Sequence, residues 1–269
     1  MVTRIGKLTT AVISKFGFCS QKAAIRLASE TGRQMVDKSI KLGRNLTTTE
    51  IKEVFNQKLP KKLRPEIITD KAVFAKELMK SGLPQEGAND LVNNPQVLGA
   101  ALTMGKKKAS IFFNPDNAKN VFEQTNLVNC NSLYAHELEH AIQRNNTLKG
   151  ILKRYITEPT QKFFIKDLKS YLKKLNQDNI NFQMNLQQIA ALPTSEQTNA
   201  IKTLLANSAN GSKKKLKYFK HILNLEIPAY TAGAKVEHYG VRKNQFGYEF
   251  QEIVRDIYSK ALNILKGKE

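Results

Sequence analysis

The chain has no tryptophan and only two cysteines, Cys19 and Cys130, in 269 residues. Two isolated thiols with no CxxC neighbour make neither a disulfide framework nor a zinc ribbon, and reduced thiols in the cytoplasm are the simplest reading. No apolar run reaches the roughly eighteen residues that a spanning helix needs, so a transmembrane segment is not expected. The nearest thing to a leader, LTTAVISKFGFC (Leu8 to Cys19), is broken by Lys15 and has no small-x-small cleavage pattern. The first 29 residues nevertheless carry five basic side chains and no acid, which leaves a targeting role for this segment open. Acids are scarce throughout, 23 against 43 basic residues, for a net charge of +20. Of the basic residues 34 are Lys and nine are Arg, whereas bidentate phosphate and guanine recognition favours Arg. Lys, Asn and Ile share AT-rich codons, so composition accounts for much of the charge. Weak, non-specific nucleic-acid binding is the expected consequence.

What is present is mostly helical punctuation. Residues 1–64 read as a basic helical extension, with Thr47-Thr48-Thr49-Glu50 as a helix start. LPKKLRPE (Leu59 to Glu66) reads as a linker into a second region, 65–269. There Asp70 is placed to cap a helix running to about Ser81. VLGAALTM and ASIFFN predict two strands around a basic turn at Gly105 to Lys108. Beyond Asn114-Pro115-Asp116 the pattern is helical to the end, including an insertion at about 147–215. The fold class predicted is α+β, predominantly helical, with a small antiparallel sheet just ahead of an unusual helix.

That helix is LYAHELEHAIQ (Leu133 to Gln143), which uses two of the chain's four histidines. His136-Glu137-Leu138-Glu139-His140 satisfies H-E-x-x-H, a pattern that chance would produce roughly 0.004 times in a chain of this composition. At about 100° per residue, His136 and His140 fall some 40° apart on one helix face, so both imidazoles can reach one ion. Glu137, a further turn of about 100° round, is directed at a water rather than at the ion itself. Tyr134, Ala135, Leu138 and Ile142 form the opposite, apolar face, and Asn131 or Ser132 is the expected N-cap. The extended form of the motif needs Gly at 143 and His at 146, where this chain has Gln143 and Asn146, and is excluded. A third ligand must therefore be a downstream carboxylate or one of His221 and His238. Glu226, in LEIPAYTAGA, is the best local candidate among few acids. Pro228 two residues later predicts that Glu226 lies in a first helical turn or at a kink.

HELEHAIQ followed by E-x-x-A-Y resembles the gluzincin group of zinc metallopeptidases. The resemblance implies a zincin-like domain with His136, His140 and Glu226 as zinc ligands and Glu137 as general base, cleaving a peptide or protein substrate. It also implies that the strand at Ser110 to Asn114 is the edge along which an extended substrate pairs. Tyr230 and His238 are candidates for stabilising an oxyanion, and Glu139 for orienting a ligand. The alternative reading is a catalytically inactive binding protein on a zincin scaffold, with nucleic acid as one candidate partner.

Overall fold

The computed structural model describes residues 20–80, 84–94, 99–102, 109–113, 127–146, 181–243 and 249–267. Helix α1 spans Gln21–Leu42 and α2 spans Thr48–Lys58. A 3-10 turn at Lys61–Leu63 leads to strand β1, Glu66–Ile68, then α3, Lys71–Lys80, and α4, Gln85–Asn93. Strands β2, Gly99–Leu102, and β3, Ser110–Phe113, precede α5, Leu127–Asn146. Residues 181–189 form α6, followed by α7, Thr194–Ala209, α8, Lys213–Arg242, and α9, Phe250–Leu265. Among the described residues no helix is long and apolar enough to cross a membrane. Cys19, the basic turn at 105–108 and most of the predicted insertion, 147–180, lie outside the described residues.

Local chemistry sets most helix ends. Thr47 and Glu50 form a reciprocal capping box at α2, and Arg44 forks onto Glu50 at 2.8 and 2.9 Å. That side-chain bond, with the Thr47 N–H behind it, holds the Glu50 carboxyl down at about 2. Asp70 Oδ1 accepts from the Val73 N–H at 2.9 Å, the cap its position predicts for α3. The predicted caps of α5 fail. The helix begins at Leu127, leaving Asn131 and Ser132 buried inside it. There Asn131 donates to Ser39 Oγ on α1 at 3.0 Å, and Ser132 donates to Glu237 on α8 at 3.4 Å. A short polar side chain signals a cap or an interhelical bond equally well, and only the neighbouring helices decide between them.

The sheet is mixed rather than antiparallel, with strand order β1-β3-β2. β2 and β3 pair antiparallel, as the two predicted strands should, with Ala101 opposite Ile111. β1 adds to the far side of β3 in parallel, Ile67 opposite Ile111. It lies at the end of the segment that reads as a linker, where Leu59, Leu63, Ile67 and Ile68 are all buried. Three residues are too few to show a period of two, and a parallel partner leaves no hairpin signal. β3 is therefore the central strand. The expectation that this strand forms an edge is wrong for Ser110–Phe113, and among the described residues the sheet edge beside α5 is β2.

Among the described residues three large apolar clusters and a small one of Val36, Ala135 and Val236 pack around the histidine helix and its neighbours. One joins α1 and α2 to Ile111, Tyr134, Leu138 and Ile142. A second packs α6, α7 and α9 on Phe219, Leu223 and Tyr230 of α8. The third sets α3 and α4 against Ile68 and Phe112 of the sheet. At the crossing of α1, α5 and α8, Gly32 brings three backbones together. A Cβ there would lie 2.6 Å from Val236 Cγ2 and 2.9 Å from the Ala135 Cβ. The packing thus pins α5 from behind through α1 and presents its histidine face to α8.

Candidate metal centre

α5 carries Leu138, Ala141 and Ile142 at full burial on the core side, and this fixes the rotation of the helix. His136 and His140 then face α8 with ring centroids 5.0 Å apart. Glu226 meets them from the middle of α8, with Oε2 3.5 Å from His136 Nε2 and 3.3 Å from His140 Nε2. Of the two expectations for Glu226, a first helical turn or a kink, the first is corrected, because α8 runs as helix from Lys213 to Arg242 with Pro228 inside it. Tertiary contacts outweigh the one hydrogen bond that the proline removes.

The three ligand atoms lie within 4.8 Å of one another, close enough to share one ion. A tetrahedral zinc with bonds of about 2.05 Å would place its ligand atoms about 3.3 Å apart. The two nitrogen–oxygen separations sit at that spacing and are longer than a charge-assisted hydrogen bond, about 2.7–2.9 Å. The donor set, two imidazoles and a carboxylate, also suits zinc. The residues fit the ion.

Electrostatics point the same way, since three carboxyl groups crowd the two imidazoles. Burial would push the His140 imidazole down. Glu226, by charge and hydrogen bond, with Glu137 and Glu139 behind it, overcomes burial and pushes it up to about 9. The Glu226 carboxyl, raised by burial, is carried well below its ordinary range by the two histidines. Burial pushes Glu139 up to about 7 against the charge of His140 and the amide of Gln143. One Glu139 oxygen accepts from Gln143 at 2.7 Å, while the other is buried with no hydrogen-bond partner among the described residues. A dication would compensate this cluster.

Glu137 is 7% exposed, and burial raises its carboxyl above the usual range although both histidines pull it down. β2 lies across it. The Ala101 N–H donates to the Glu137 carboxylate, and a Cβ at Gly99 would lie 3.5 Å from Glu137 Cγ.

The remaining candidates are placed as follows. Tyr230 stacks edge-on against His136 at 4.4 Å between ring centroids. Its hydroxyl accepts from Gln187 at 3.2 Å beside Tyr258. His221 is exposed. His238 is not brought to the pair. It bonds Glu252 at 2.8 Å and groups at the surface with Glu249 and Glu252.

Two groups escaped the sequence reading. Gln251 Oε1 lies 3.0 Å from His136 Nδ1 across 115 residues of chain, and the Ala101 N–H is a backbone group. Neither leaves a local signal. Comparison with family models, curated proteins and solved structures gives no significant match.

Proposed function

We propose that the chain hydrolyses peptide bonds with zinc held by His136, His140 and Glu226. The observation that carries the reading is that the three ligand atoms lie within 4.8 Å of one another, with both nitrogen–oxygen separations at the edge length of a zinc tetrahedron and Glu137 buried next to them. Bound there, zinc supplies Lewis acidity that acidifies a water and polarises a carbonyl.

The chain's own residues do the rest. Glu137 takes a proton from the attacking water on its carboxylate and returns it to the nitrogen of the leaving amine. The Ala101 N–H holds that carboxylate in place. β2 lies at the rim of the site, and its outer edge is the natural place for an extended peptide to pair. The burial of Glu137 keeps its basicity high enough to accept the proton.

Elemental analysis of gently purified protein should find about one zinc per chain, as a mononuclear site holds. His140→Ala and Glu226→Ala should lose it. Glu137→Gln should retain zinc while peptide turnover falls by about 10²–10⁴. Wild-type turnover by a zinc-loaded Glu137→Gln variant would refute the mechanism.

A further inference from the structure

His136 has a second nitrogen, and what holds it decides whether the first can bind a metal. Nε2 faces Glu226, and Nδ1 lies 3.0 Å from the side-chain oxygen of Gln251. Gln251 is 4% exposed, in the first turn of α9. We propose that Gln251 is the positioning residue of the His136 ligand. Its carbonyl, locked by Glu237 and the bare backbone of Gly233, keeps a proton on Nδ1 and leaves Nε2 to the ion. The inference rests on the zinc centre proposed above and is independent of what the centre cleaves.

The lock has three parts. Glu237, from α8, accepts the Gln251 N–H at 3.1 and 3.3 Å, and so caps α9, whose own N-cap residue Glu249 makes no side-chain cap bond. The same carboxylate accepts from Ser132 Oγ, one turn before His136 on α5. One buried group thus ties together the three helices that shape the site. The third part is Gly233. A Cβ there would lie 2.7 Å from Gln251 Oε1, 2.8 Å from its Cδ and 2.9 Å from its Cγ. The amide occupies the space that any other residue at 233 would fill. A glycine inside a helix forgoes stability that alanine would supply, and here the close approach accounts for it.

The choice of an amide has a physical reason. Buried Glu137 and Glu139 and half-buried Glu226 already crowd the site with carboxyl groups. A neutral acceptor orients the imidazole without adding another. The opposite amide orientation would donate an N–H to Nδ1, move the ring proton to Nε2 and block the ligand position.

The test uses the full chain labelled with ¹⁵N-histidine, observed metal-free by long-range ¹H–¹⁵N correlation, with zinc affinity measured by competition against a chelator. The variants are Gln251→Met, of similar volume with no acceptor, Gln251→Glu, which restores one, and Gly233→Ala. Wild type and Gln251→Glu should carry a proton on Nδ1. Gln251→Met and Gly233→Ala should show it displaced and bind zinc about 10–100-fold more weakly, with the helical circular dichroism of wild type. A purely structural role predicts wild-type affinity for folded Gln251→Met, and that result overturns the proposal, as does a wild-type Nδ1 without a proton. Should Gln251→Met fail to fold, the Nδ1 state in wild type and Gly233→Ala decides alone. A zinc-loaded wild type that cleaves nothing sinks the peptidase reading only. A wild type that binds no zinc sinks the proposed function, and the Nδ1 measurement still judges Gln251.

Discussion

Zinc should enter this site by displacing a proton. In the metal-free chain His140 is pushed up to about 9, burial pulling it down and the charge of Glu226 prevailing. At pH 7 it is two units below that value, so about a hundred rings are protonated for each neutral one. Zinc binds only the neutral imidazole. Its apparent affinity at pH 7 should therefore be weaker by about 100-fold, ~3 kcal/mol, than above pH 10. Each pH unit between 7 and 9 should tighten binding about tenfold, and the curve should level beyond 9. Calorimetry at pH 7 in two buffers of different ionisation enthalpy should count at least about one proton released per zinc. The sign for folding is opposite. A raised histidine stabilises the metal-free fold fully below its unfolded value near 6.5, and that contribution is lost as pH rises through 9. Glu226→Gln removes the charge that raises His140, so the inflection should fall towards 6.5 as overall affinity drops. Zinc affinity independent of pH between 7 and 9, with no proton released, would refute the coupling of His140 to Glu226.

Ala101→Pro removes the edge N–H that holds Glu137 and should cost turnover while the chain stays folded and zinc-loaded, whereas Phe112→Pro, in the central strand, should unfold the sheet; thermal melts with peptide assays would separate the two, and normal turnover by Ala101→Pro would count against β2. Gly32→Ala forces a methyl to within 2.6 Å of Val236 and should destabilise the fold by about 1–3 kcal/mol in urea titration, despite its better helix propensity. Burial pushes Glu237 up to about 8 against the N–H groups of Gln251 and Glu252. The folded state then binds more protons than the unfolded one between about 4.5 and 8, and stability falls as pH rises through that window. Glu237→Gln should flatten the decline, and parallel stability–pH curves would refute the assignment.

The sequence by itself determined the metal helix. The spacing of His136 and His140, the apolar stripe at Tyr134, Leu138 and Ile142, and the Glu beside the first histidine are local. Helical geometry converts them directly into a pair on one face, His136 buried and His140 half-buried. The caps at Thr47 and Asp70 and the β2–β3 pair were legible for the same reason, since each is written within a few residues of the chain. Glu226 was singled out because acids are rare around it, but its place in mid-helix was not, since a proline argues locally for a break. Tertiary structure decided everything that depends on a distant partner. A parallel strand from a linker-like segment made β3 central and gave the edge to β2. Asn131 and Ser132 became ties to α1 and α8 rather than caps. Gln251 came to the second nitrogen of His136 from a helix 115 residues away. Such partners leave no local periodicity, because their positions follow from how helices pack, and ordinary Gln, Gly and Ala residues gain their roles only when the chain closes on itself.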